Sequence, residues 1–295
     1  MPSIRDRYAS FKENIHSNDH NKGEKEEVLS LGELYYYNET RQYHKLVEIF
    51  GDEAEEGQQL ISMETGDIIN NFDEIKKAKG RFKADCSIEF NKTGRRISPS
   101  IKSCKSAPCS VINHTPRSAK VFQKKGGLYP LLSEIDSVIY IYINKREKGL
   151  PEDIKLDELS LNSIQKDSMY KLIMYFMFKG TGCKLSDNPA DSILLIKEGT
   201  MEFIPLYSDE DKLKYIQKKY RENKFVISLR GKGMPKKIKF KIEAETLCDS
   251  DILYKEKYEL MRPWIHETTE CKNKTKKNPL NKVFINGSLH MRMKK

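Results

Sequence analysis

Residues 81–117 read RFKADCSIEFNKTGRRISPSIKSCKSAPCSVINHTPR, and the order of side chains in this stretch decides the fold. Phe82, Ala84, Cys86, Ile88 and Phe90 alternate with Lys83, Asp85, Ser87 and Glu89, the period of two that gives a strand one apolar face. Asn91-Lys92-Thr93-Gly94 carries turn chemistry. Residues 96–103 read as the returning strand. Pro99 restricts that strand to an edge, a bulge or a late start, because proline has no N–H to give to a ladder. The spacing thus predicts a β-hairpin with Asp85 on its first strand and Lys102 near the end of its second.

Outward from the hairpin, the chain predicts α/β (α+β) architecture: a mixed central sheet flanked by helices, with a β-rich C-terminal part. Residues 1–27 are polar and charged and read as a disordered lead-in. From Leu29 apolar residues recur at three- and four-residue intervals (Leu31, Leu34, Tyr35, Leu46, Val47, Phe50), as on a buried helix face. A second helix is expected over 67–79, with Ile68, Ile69, Phe72 and Ile75 on one side and Gly80 as its stop. Helices are also expected over 116–125, 128–133 and 160–178, and a strand buried on both faces over 137–144. Beyond that, strands are expected over 192–197, 201–205, 225–229 and 238–243, and a helix over 209–219. The division expected is a lead-in (1–27), a core (28–190), a β-rich continuation (191–270) and a basic tail (271–295).

Lys and Arg number 53 against 43 Asp and Glu, a formal charge of +10. That excess suits a polyanionic partner, nucleic acid or an anionic membrane surface. No run approaches the roughly 20 apolar residues of a membrane span, and the N-terminus lacks a signal-peptide core, so a soluble, cytoplasmic protein with no membrane partner is expected. Of six cysteines only Cys104 and Cys109 lie close, with no second pair at zinc-ligand spacing. Reduced thiols are expected, with neither disulfides nor structural zinc.

A carboxylate on one strand and a lysine on its neighbour can hold Mg2+ and a water against a phosphodiester. The plainer reading of Asp85 and Lys102 is a solvated cross-strand ion pair. The order helix, strand with Asp, strand with Lys, helix, buried strand resembles the core of the PD-(D/E)xK nuclease superfamily. Residues 103–117 are similar to the segment that follows the catalytic strand in some type II restriction endonucleases of that superfamily. The resemblance implies that Asp85 binds Mg2+ and that Lys102 positions the attacking water. It departs at Ser100, which stands where the family has Asp or Glu. The missing charge then falls to Glu89, or to Glu33 or Glu74 upstream. The resemblance further implies a site-specific endonuclease acting on double-stranded DNA, a possible homodimer, and a cognate DNA methyltransferase as companion.

Contacts to DNA are expected from Lys105, Asn113, His114 and Arg117 in the loop after the catalytic strand, and from Arg230 and Lys232 in a glycine-flanked basic turn. Thr115 as N-cap and Pro116 at the first helical position give the 115–117 segment an equally good structural reading as a helix start, and the two are compatible since helix N-termini bind phosphate. His114 has no second His and Asn at metal-compatible spacing. The glycines near residue 180 lack P-loop spacing. The alternatives to an enzyme are a non-catalytic nucleic-acid-binding protein on a degenerate nuclease fold, supported by Ser100, and an intracellular interaction protein.

Overall fold

The computed structural model describes residues 2–19, 21–79, 82–104, 109–114, 154–181, 184–197, 199–230 and 288–294. In chain order the elements are α1 (Ile4–Ser17), α2 (Lys22–Glu39), α3 (Tyr43–Phe50), β1 (Gln58–Ile61), β2 (Ser87–Phe90), β3 (Arg96–Ile97), β4 (Pro99–Ser103), β5 (Cys109–His114) and β6 (Ile154–Lys155). There follow α4 (Ser163–Met174), β7 (Gly180–Thr181), β8 (Lys184–Leu185), β9 (Ser192–Lys197), β10 (Thr200–Pro205), α5 (Asp209–Arg221), β11 (Phe225–Arg230) and β12 (Ser288–Met293). The architecture is mixed α/β. The chain divides into two compact units, Met1–Cys109 with Met177–Thr181 and Leu185–Lys212, and Ser110–Phe176 with Gly182–Lys184 and Leu213–Lys295.

In the first unit the expected lead-in holds α1 and the start of α2. Reciprocal capping boxes start both: Ser3 with Asp6 for α1, and Asn21 with Glu24 for α2. Tyr8 and Phe11 lie on one side of α1. Tyr8 stacks on Tyr36 and Phe72, and the Phe11 ring packs so close to α2 that a Cβ at Gly32 would collide with it. The polar composition of residues 1–27 thus belongs to the solvated faces of amphipathic helices and is not a sign of disorder.

The helix expected over 67–79 is also corrected. Asn71 turns its side chain to accept from the N–H groups of Asp73 and Glu74, and Glu74 accepts from the N–H of Asn70 at 2.8 Å. These local bonds compete with helix and leave one 3-10 turn, Phe72–Glu74. The residues before it return alongside β1, through Ile69 N–H to Leu60 O at 2.8 Å.

The hairpin forms but then changes sheet. β1, β2 and β3 make one antiparallel sheet. At Ser98 the ladder stops: its N–H goes to both carboxylate oxygens of Asp191, at 2.9 and 3.0 Å, and Pro99 has no N–H to continue the pairing. β4 instead runs parallel to β9, pairing Pro99 with Ser192 through Ser103 with Ile196, and β10 closes the far side of β9. The boundary expected at residue 191 is therefore wrong, since 192–205 supplies two strands of the first unit. One core joins α1, α2 and α3 to both sheets, with Leu31, Leu34, Leu46, Ile88, Ile101 and Leu194 buried.

The second unit is built on a sheet of order β5-β12-β11-β6. β12 pairs with β11 from Ser288 opposite Arg230 to Met293 opposite Phe225, so part of the expected basic tail is a strand. Leu172 and Ile173 of α4 and Ile216 of α5 are among its buried residues. The expected helices over 116–125 and 128–133 and the strands over 137–144 and 238–243 lie outside the described residues. Among the described residues no helix is long and apolar enough to cross a membrane.

Candidate functional site

The site is built on the open edge of β4. In a parallel ladder, alternate N–H groups point to opposite sides of the strand. The N–H of Cys104 bonds Ile196 of β9 at 2.9 Å, so that of Ile101, three residues earlier, points away from β9. Asp85 takes it: its Oδ2 accepts from Ile101 N–H at 2.6 Å. The Asp85 N–H in turn donates to Pro99 O at 3.0 Å. Residues 82–86 are not a regular strand, contrary to the sequence reading; β2 begins at Ser87. Lys83 and Ala84 donate instead to Asn188 O, and Lys83 N–H also reaches Ser186 Oγ at 2.8 Å. The segment carrying Asp85 is thereby clamped between β4 and the 186–188 turn.

Lys102 follows Ile101 directly, and its Nζ donates to Ile101 O at 3.2 Å. The bend of 82–86 against β4, and not hairpin pairing, therefore sets Asp85 on the backbone of the strand that carries Lys102. Although Asp85 is partly exposed as a residue, its carboxyl is desolvated and its pKa is raised by burial, against the opposing pull of Lys102, the Ile101 N–H, Lys83 and Lys77.

The sequence reading missed Glu27. On α2 it stands four residues before the buried Leu31, on the same helix face. Burial pushes its carboxyl up to about 7, with further upward pressure from Asp85 and downward pulls from Lys102 and Lys77. Lys83 is pushed down to about 8 by burial and then by Lys102, while Asp85 and Glu27 oppose the shift. Asp85, Glu27 and Lys83, all desolvated, therefore lie in one another's fields together with Lys102, while Lys77, paired with Glu24, stands at the more solvated side. Asp85 and Cys86 also line a cavity of about 490 Å3, whose other walls come from Leu31 and the segment 61–78.

The three carboxylates proposed to complete the metal shell behave differently. Glu89 sits opposite Arg96 in the β2–β3 ladder and pairs with its guanidinium at 2.7 Å. Glu33 accepts the Tyr37 hydroxyl at 2.5 Å and lines a smaller cavity with Tyr8 and Lys12. Glu74 lines the same cavity as Asp85, yet both its oxygens are engaged by Asn70 N–H and Asn71 Nδ2. Among the described residues no group of three or more His, Cys, Asp or Glu gathers to hold a metal.

Ser100, two residues before Lys102 on β4, is buried, and its Oγ has no hydrogen-bond partner. An enclosed hydroxyl without a partner and two desolvated carboxylates are the chemistry that a divalent cation with its waters would relieve. Mg2+ is held by one or two carboxylates plus waters and phosphate oxygens, and Asp85 and Glu27 are the two desolvated carboxylates that could offer themselves to such an ion.

Of the expected DNA contacts, Asn113 and His114 fall on β5 and Arg230 ends β11. Lys105, Arg117 and Lys232 lie outside the described residues. No known protein family, curated protein or solved structure matches this chain.

Proposed function

We propose that the first unit is a Mg2+-dependent endonuclease of the PD-(D/E)xK type acting on double-stranded DNA. The observation that carries this reading is the Asp85–Ile101 bond across the edge of β4, which sets a carboxylate beside the Lys102 strand. Asp85 and Glu27 are the residues that would hold the metal. When bound, the ion supplies a Lewis acid for the phosphate oxygen and an acidified water.

The chain's own groups do the rest. Lys102 lies within the electrostatic field of both carboxylates and would supply the ammonium that orients the attacking water and offsets charge developing on the phosphate. Lys83 and Lys77 add positive charge to a site that receives a polyanion, and Lys77 is itself held by Glu24 of α2. The desolvation that raises Asp85 and Glu27 also strengthens each of these interactions with a bound phosphodiester. On this reading the partners are double-stranded DNA, a second copy of the chain as in the enzymes it resembles, and a protecting methyltransferase.

Serine at position 100 and three lysines around two carboxylates support a second reading, a nuclease-like fold that binds nucleic acid without cutting it. Lys102→Ala separates the two when DNA binding and cleavage are measured together. In an enzyme it abolishes cleavage and keeps most binding. In a pure binder there is no cleavage to lose, and the substitution lowers affinity and flattens its salt dependence.

A further inference from the structure

Cys104 and Cys109 are the two cysteines closest in the chain, and both are free and buried. Cys104 follows β4 and stays in its ladder, its N–H donating to Ile196 O at 2.9 Å. It stands two residues after Lys102, on the same face of the strand. Cys109 opens β5. Its thiol shares a hydrogen bond with that of Cys104 and lies in the field of the Lys102 ammonium. Where the surroundings are reducing, paired thiols of this kind serve as transient redox couples.

We infer that Cys104 and Cys109 are a couple oxidised by hydrogen peroxide, and that their disulfide displaces the end of β4 and with it Lys102. The Cys109 thiolate attacks one peroxide oxygen and the O–O bond breaks. A sulfenic acid forms, and the departing hydroxide takes up the thiol proton as water. The Cys104 sulfur then attacks the sulfenic sulfur and expels a second water, so two thiols and one peroxide give one disulfide and two waters. The Cys104 hydrogen bond and burial hold the Cys109 thiol above its ordinary range, while the Lys102 charge favours the thiolate. The couple therefore responds slowly, to sustained oxidant. A disulfide is far shorter than a hydrogen bond between thiols. Closing it draws Cys104 from its place on Ile196 and loosens the Asp85–Ile101 bond three residues earlier. The consequence for catalysis rests on the nuclease reading; the couple itself does not.

The test treats the purified full chain with hydrogen peroxide, blocks the remaining thiols and digests with trypsin, which puts the two cysteines on separate peptides, 103–105 and 106–117. Mass spectrometry should find these peptides joined, two hydrogens lighter than their sum, and parted by dithiothreitol. Exchange of the Ile101 amide, followed by NMR, should quicken at least about tenfold on oxidation and return on reduction. Neither change is expected in Cys104→Ser or Cys109→Ser. Peptides that never join overturn the inference, as do joined peptides with Ile101 exchange unaltered, or a quickened exchange that persists in either variant. Plasmid cleavage in Mg2+ reports separately on the nuclease reading. Cleavage lost on oxidation and regained on reduction supports both, and equal cleavage by the oxidised and reduced protein overturns the switch. Joined peptides and quickened exchange without cleavage in either state keep the couple and remove the enzyme.

Discussion

Asp85 accepts the Ile101 N–H at 2.6 Å, and that bond ties the first carboxylate of the site to the strand carrying Lys102. It uses a backbone donor on the edge of β4 that the neighbouring β9 does not take. The same carboxylate lies in the field of Glu27, Lys83 and Lys77, so geometry and electrostatics of the site share one anchor.

Glu27 should make stability depend on pH. Its folded-state value of about 7 exceeds the ordinary 4.5, so its ionisation opposes folding, increasingly from pH 4.5 and fully above pH 7. Linkage puts the penalty at up to about 3 kcal/mol. Glu27→Gln should therefore raise stability by about 1–3 kcal/mol at pH 8 and leave it unchanged near pH 4 in urea titrations. Millimolar Mg2+ should stabilise the wild type at pH 8 and not the variant. Parallel pH curves for the two proteins would contradict the assignment.

Lys83 predicts the opposite window. Its folded value of about 8 lies below the ordinary 10.5, so the folded state is penalised while the amine stays charged, and relief comes as pH rises from 8 to 10.5. Lys83→Met should stabilise the protein by about 1–3 kcal/mol at pH 7 and give nothing above pH 10.5. The same variant should bind DNA more weakly, because a cation has been removed from the site.

Asp191 should matter well beyond its own position. Both its oxygens hold Ser98 N–H at the point where the chain leaves one sheet for the other. Asp191→Ala should cost about 2–3 kcal/mol, as expected for a charged acceptor lost from a partly buried donor. It should also lower turnover more than substrate affinity, because β4 then sits less firmly against Asp85. Asp191→Asn keeps an acceptor and should lose less on both counts.

Ser100→Ala tests the buried hydroxyl. With no partner for its Oγ, removing it should change stability by less than about 1 kcal/mol in chelator. In Mg2+ the variant should gain less thermal stabilisation than the wild type. Equal metal-induced shifts in melting temperature would show that Ser100 takes no part in the ion's surroundings.

The sequence made local patterns legible and long-range bonds illegible. Periodicity located the helical run that ends at Phe50, though not its start or its break into α2 and α3, and placed β9, β10, α5 and β11 closely, because each carries its own alternation or stripe. The same patterns read Asp85 and Lys102 as facing each other across a hairpin, whereas the structure bonds Asp85 to the backbone of Ile101 and Lys102 to the Ile101 carbonyl. Glu27 escaped because the helix was started at Leu29, which cut off the turn that carries it, although its position four residues before Leu31 puts it on the buried stripe. The parallel pairing of β4 with β9 joins residues about ninety positions apart and depends on Asp191 capturing Ser98, which no local pattern announces. The loop at 67–79 misled because its apolar residues keep helical spacing while Asn71 and Glu74 bond their own backbone.

The most direct test is cleavage of unmethylated plasmid and viral DNA by the purified protein in Mg2+ or chelator, beside Asp85→Asn and Lys102→Ala. The account predicts discrete fragments that require Mg2+, and their loss in both variants while both remain folded and still bind DNA. Intact DNA with the wild type, or fragments undiminished by either substitution, would contradict it.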